Sequence, residues 1–260
     1  MTAAEAATLS RLRRAVAEIE GSDLSVLEAG GRALPLGAAP VDAVLGGGLA
    51  LGSLHELAPI APLHLGAAVG FALMLAARAG QGKPALWIQP DFAATEAGAL
   101  YGPGLSALGL PMERLLLLRV ARPVDALWAM EEGLKSHVLS AVIAELTEDG
   151  VAADLTATRR LVLAARDGGG LGFLLRHRIS PEASAAATRW DIASAPSRPD
   201  AFGGLGRTAF TLSLVKNRRG PLGRWTMEWD HHERTFSALS VAVAKTALDR
   251  PALSPLVRAG

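Results

Sequence analysis

The 260-residue sequence predicts an α/β fold: a central, mostly parallel sheet with an antiparallel extension and helices on both faces. Three observations predict it. Short strands that are apolar throughout recur with helices between them, as strands covered on both faces require. Past residue 187 the strands follow one another without helices. In the last of these, Trp225, Met227 and Trp229 alternate with Arg224, Thr226, Glu228 and Asp230, the period of two of a half-buried antiparallel strand.

Residues 1–30 read as an amphipathic helix and linker. Leu9, Leu12, Val16 and Ile19 form a narrow apolar stripe, with Arg11, Arg13, Arg14 and Glu18 on the other faces and Gly21 and Ser22 as a stop. The core is expected over 31–236. It opens with a loop-rich stretch in which "PVDAVLGGGLALG" is a short helix ended by glycines. Strands follow at 54–57, 84–89, 113–120, 140–146 and 170–177. Helices are expected at 63–79, 93–108, 123–137 and 153–167, the third with Pro123 at a favoured first position and Asp125 in its first turn. "TRWDIAS", "TAFTLSLVKN" and "RWTMEWD" make the antiparallel part. Residues 237–260 are expected to be a tail, a weak helix to Asp249 and then disorder.

Composition narrows the function classes. Hydrophobic residues are 50% and charged residues 20%, the balance of a folded globule. A formal net charge of +1 gives no global basic field for nucleic acid. The absence of cysteine removes disulfides, thiolate-held zinc and thiol catalysis, and suits a reducing cytoplasm. The N-terminus lacks the apolar core of a signal peptide. Leu57–Ala77 is uncharged, but Pro59 and Pro62 near its start shorten the helix to about 63–79, so we expect a buried helix and no membrane association.

The order of motifs resembles the RecA ATPase core over about residues 40–236. "VDAVLGGGLALGSLHEL" is similar to the glycine turn and first core strand. "GKPALWIQPDFAAT" resembles the second strand with its acid beyond, "VLSAVIAELTE" the Walker B strand, and "TLSLVKNRRGPLGRWTMEW" the late hairpin. The branch it resembles is ImuA, a small RecA-like family encoded with ImuB, an inactive Y-family polymerase homologue, and an error-prone polymerase. The resemblance implies a part in the SOS response and in damage-induced mutagenesis.

A phosphate loop works through backbone N–H groups, a helix N-terminus and a lysine. The corresponding "APIAPLHLG", residues 58–66, has Pro59 and Pro62, each without an N–H, and His64 as its one titratable side chain. The resemblance puts Leu65 and Gly66 where lysine and threonine would stand. We expect a closed apolar loop, no bound nucleotide, no cofactor and no metal. The resemblance places Asp91 as a water-activating acid, Glu145 as the magnesium acid and His177 as a nucleotide-sensing switch; without the lysine we read them as relics. Lys216, Arg218, Arg219 and Arg224 in the late hairpin suit a solvated turn, a phosphate-backbone contact or a docking surface for an acidic partner. "TEDGVAAD" and "RISPEASAAA", where the family carries DNA-binding loops, are short and lack stacking aromatics. Adjacent histidines in "DHHE" at 230–233 would point to opposite faces of a strand, so we expect no metal there. No Gly-x-Ser-x-Gly motif occurs.

The expected function is a non-catalytic RecA-like adaptor in translesion synthesis. It would contact an ImuB-type polymerase homologue or RecA, and the error-prone polymerase indirectly, with weak or no direct DNA binding. Its contact surfaces would be the Leu9–Leu12–Val16–Ile19 stripe and the Lys216–Arg218–Arg219 hairpin. The alternatives are a DNA-dependent ATPase with a rebuilt phosphate site and a membrane-associated regulator acting through 57–77.

Overall fold

The computed structural model describes residues 32–80, 82–147, 153–197, 199, 204 and 206–239. The N-terminal stripe, most of "TEDGVAAD" and the tail beyond Leu239 lie outside the described residues. The described chain runs β1 (Ala33–Leu34), α1 (Ala39–Val44), β2 (Leu49–Ala50), β3 (Ser53–Pro59), a 3-10 turn (Pro62–His64), α2 (Leu65–Ala79), β4 (Ala85–Pro90), α3 (Asp91–Ala97), α4 (Gly102–Ala107), β5 (Leu115–Val120), α5 (Pro123–Leu134), β6 (Ala141–Leu146), α6 (Leu155–Gly168), β7 (Leu171–Arg176), β8 (Thr188–Ala195), β9 (Ala209–Asn217), β10 (Gly223–Asp230) and β11 (Thr235–Ala238).

Nine strands form one sheet in the order β11-β10-β9-β8-β3-β7-β6-β4-β5. From β8 to β5 neighbours are parallel; β8–β9, β9–β10 and β10–β11 are antiparallel. The predicted switch from parallel to antiparallel therefore occurs, and the fold is RecA-like α/β. β6 shows why its sequence is apolar throughout. Ala141 and Ile143 enter a core with α2, while Val142 and Ala144 enter a second core with α5 and α6. Each face of the strand is buried, so no polar alternation survives. In β10 the period of two holds: Met227 and Trp229 are fully buried. Trp229 packs on Phe236 at 4.7 Å between ring centroids, and Phe236 lies 5.3 Å from Phe71 of α2. These offset aromatic contacts tie α2 to the antiparallel half of the sheet. The apolar 62–79 segment is thus a core helix whose residues Phe71–Ala76 are all buried.

Several expectations are corrected. The helix predicted over 93–108 is two short helices, α3 and α4. Gly98, at φ 87, ends the first, and Pro103 starts the second. α5 stops at Leu134 rather than 137. Ser237 and Ala238 belong to β11, where Glu228 pairs with Ser237, so a tail helix cannot begin at 237. The β1–β2 pair went unpredicted because two-residue strands carry no period. β3 extends to Pro59, paired with Ile192 of β8, so Pro59 ends a strand instead of lining a loop.

The α5 and α6 helices meet at their C-termini. A Cβ on Gly168 would stand 1.8 Å from the Leu134 carbonyl oxygen. Gly168→Ala is expected to lower stability by about 3 kcal/mol, the upper range for overpacking, because a backbone atom cannot swing away. Urea midpoints of the two proteins measure it.

His55 on β3 is fully buried. Its Nε2 donates to the Ala50 carbonyl at 3.1 Å, so Nδ1 accepts from the Thr188 hydroxyl at 2.8 Å; that hydroxyl accepts in turn from Trp190 Nε1. Both ring nitrogens are thus used by the neutral form. Burial lowers the His55 pKa from 6.5 to about 4. Between those values the unfolded chain takes a proton that the folded chain refuses, so stability falls as pH drops through this window and is unaffected above it. The loss approaches about 3 kcal/mol. Urea titrations across the window should show a shallower pH dependence in His55→Gln.

Candidate functional site

In open α/β sheets, ligands bind beyond the C-terminal ends of parallel strands. Here those ends bring together the loop after β3, Asp91 after β4, Glu145 of β6 and His177 after β7.

The loop after β3 is reduced to Ile60 and Ala61. The chain then enters the 3-10 turn and α2 directly. Leu63 of this turn is 80% exposed. His64 turns toward β8, where its Nδ1 accepts from the Ser194 N–H at 3.2 Å and lies 2.9 Å from that residue's hydroxyl. No lysine or arginine lies between Pro59 and Gly66, and Leu65 begins α2.

The two acids are held apart in role. Asp91 is exposed and accepts from Arg119 of β5 at 3.0 Å. Glu145 is 2% exposed. Its Oε1 accepts from Trp87 Nε1 at 2.6 Å and Gln89 Nε2 at 2.8 Å, and its Oε2 from His177 Nε2 at 3.0 Å. Register explains the convergence. Ile88 pairs with Ala144, and Glu145 with Leu175, so Trp87, Gln89 and His177 surround one carboxylate. Gln89 Nε2 also reaches the Gly98 carbonyl at 3.3 Å, leaving Gln89 Oε1 buried without a partner. Sequence inspection found Glu145 and His177 but missed Trp87 and Gln89. The period of two in "WIQP" puts those two on one face, and a glutamine in a buried strand was the signal available.

A cleft of about 780 Å³ opens beside this group, between α2 and the 96–108 segment. Gln89, Glu145 and His177 line it, together with Leu65 and Gly66.

On the opposite face of the sheet, Glu56 of β3 is 1% exposed and sits between two guanidinium groups. Arg176 Nη2 lies 3.2 Å from Oε1 and Arg189 Nε 2.6 Å from Oε2. Arg189 also donates to the Ser180 and Glu182 carbonyls at 3.1 and 2.8 Å. The residues between β7 and β8 are thereby tied down, with further bonds from Ala185 N–H to Thr158 Oγ1 and from Ala187 N–H to the Leu54 carbonyl. Lys216 Nζ points inward to the Ser184 carbonyl. In the adjoining turn the Arg218 N–H donates to the Ala187 carbonyl, and the Arg219 N–H to Asn217 Oδ1. In "DHHE" Asp230 ends β10 and the two histidines lie in the turn that follows rather than on a strand: Asp230 accepts from the His232 and Glu233 N–H groups, and His231 Nδ1 donates to the Ala107 carbonyl.

Comparison with known proteins agrees with this architecture. No protein-family model matches the chain. The crystal structure of the RadB recombinase superposes with a TM-score of 0.54 over 79% of this chain and 99% of that one, at 16% identity, a likeness of fold alone. The protein ImuA of Caulobacter vibrioides, from strain NA1000 / CB15N and from strain ATCC 19089 / CIP 103742 / CB 15, is 32% identical over 198 residues. The match spans 70% of this chain and 77% of each relative. With a RecA-like sheet and that extent of identity, the chain belongs to the ImuA family.

Proposed function

We propose that this chain is a non-catalytic RecA-like adaptor in damage-induced translesion synthesis, acting in the cytoplasm through contacts with an ImuB-type polymerase homologue, RecA or both. The observation that carries the reading is the state of Glu145. A carboxylate that serves magnesium or its waters needs open lone pairs. Here three donors from the chain itself take three of its about four acceptor positions, too few left for an ion with its shell of waters. The missing cation and the shortened link after β3 point the same way.

The partner role is supported by β5, the edge strand of the sheet among the described residues. Leu116, Leu117 and Leu118 are 54%, 46% and 40% exposed. An apolar edge with unpaired backbone groups is a template for a strand from another chain. Trp128, 65% exposed on the neighbouring α5, extends the apolar surface. Weak or absent DNA binding is supported by the tethering of 178–187, where the family's mobile loop would be.

The test has two arms. Phosphate release from ATP with magnesium, with and without single-stranded DNA, should stay at background. The purified ImuB-type homologue should bind the full chain, and the exposed substitution Leu117→Lys should weaken that binding about tenfold. ATP turnover lost on Asp91→Ala would instead establish the DNA-dependent ATPase.

A further inference from the structure

The cleft beside α2 has properties that a vacated nucleotide site need not retain. Its walls include Gly66 and Gly70, one turn apart on α2. A Cβ built on either meets nothing within 4 Å. Glycine weakens a helix relative to alanine, and here nothing nearby demands it. The helix therefore forgoes stability where a side chain would narrow the cleft. At about 780 Å³ the space accommodates several side chains.

The charge of the lining is one-sided. Among the described residues its acids are Glu96 and Glu145, no lysine or arginine lines it, and its other ionisable groups are His177, His231 and Tyr101. The floor is also rich in acceptors. Gln89, 2% exposed, has no partner for Oε1. Its amide cannot be turned round to supply one, because Nε2 already donates to two oxygens. A carboxylate has about four acceptor positions, and three of Glu145's are filled. An orphaned buried acceptor is costly and uncommon, and a donor arriving with a ligand would satisfy it. At the rim, Tyr101 is 72% exposed, and Leu63, next to the lining residue Pro62, is 80% exposed. Such groups anchor apolar side chains of a partner.

We propose that this cleft is a docking pocket for an apolar segment of a partner protein that carries a lysine or arginine. The apolar side chains lie along Gly66, Val69 and Gly70, and the cation is directed to the Gln89–Glu145 floor. The same carboxylates repel phosphate. This rests on the adaptor reading and assigns it a second contact surface, separate from the β5 edge.

Titration of the full chain with 2-phenylethylamine, and separately with phenylacetate, tests the pocket without the partner. The Trp87 indole N–H, 2.6 Å from Glu145, is the reporter in a nitrogen–proton spectrum. The amine should shift it saturably and the acid should not. Gly66→Leu/Gly70→Leu should abolish the shift with Tm unchanged or raised, and should weaken binding of the ImuB-type homologue about tenfold. If the double leucine variant misfolds, Gly66→Ala/Gly70→Ala should give the same effects in smaller measure. A silent indole, an equal response to the acid, or a filled variant that still responds overturns the pocket. Partner binding indifferent to the filled cleft overturns the docking and leaves the adaptor standing. ATP turnover by the unmodified chain overturns the adaptor itself.

Discussion

Glu56→Gln lowers the stability of the protein by about 3–5 kcal/mol, the range for removing one partner from a buried ion pair. The cost arises from what stays behind. Arg176 and Arg189 have side-chain exposures of 9% and 17%, so water cannot replace the lost carboxylate. Arg176 is already short of partners, since its Nε has none. Arg189 retains the Ser180 and Glu182 carbonyls but loses the charge that holds its guanidinium over β3. Two results should accompany the lower urea midpoint. Trypsin should cut sooner after Arg178, as the 178–187 segment loosens. Adding Arg176→Met and Arg189→Leu to Glu56→Leu should recover most of the stability, because an apolar triad of similar volume leaves no buried charge. Full loss persisting in the triple variant would show that the carboxylate's role is not charge pairing.

The second large effect separates the two acids that the RecA resemblance picks out. Glu145→Ala should cost about 3–5 kcal/mol, because Trp87 Nε1, Gln89 Nε2 and His177 Nε2 all lose a charged acceptor in a buried site. Asp91→Ala should cost less than about 1 kcal/mol, as its pair with Arg119 is exposed to solvent. Thermal or urea unfolding of the two variants gives the comparison. An enzyme would show the opposite pattern, with both variants folded and both inactive. A stable Glu145→Ala protein would mean that the carboxylate is held in reserve for a ligand, and the adaptor reading would lose its main support.

Much of the fold was legible because burial leaves a local trace. "AVIAEL" faces two cores and is apolar at nearly every position; "RWTMEWD" faces one and alternates. The environment of those two strands was thus written into their own residues, whereas β5, equally apolar, leaves Leu116, Leu117 and Leu118 exposed at the sheet edge. Legibility failed where an element was too short to carry a period, as in β1 and β2, or where a glycine turned the chain, as at Gly98. The site was legible in part. The lack of a cation between Pro59 and Gly66 needed no structure, and Glu145 and His177 stood at recognisable strand ends. Trp87 and Gln89 did not, because their importance depends on which strand lies beside which.

By itself the sequence determined the alternation of strands and helices, the change from parallel to antiparallel strands, and the absence of lysine and arginine between Pro59 and Gly66, since these follow from residue type and short-range period. Only the tertiary structure decided that Glu145 is enclosed by Trp87, Gln89 and His177, that Glu56 binds Arg176 and Arg189, and that a cleft stays open beside Gly66 and Gly70. Those contacts join residues up to 133 positions apart, across strands whose order and register are set by packing the whole sheet at once.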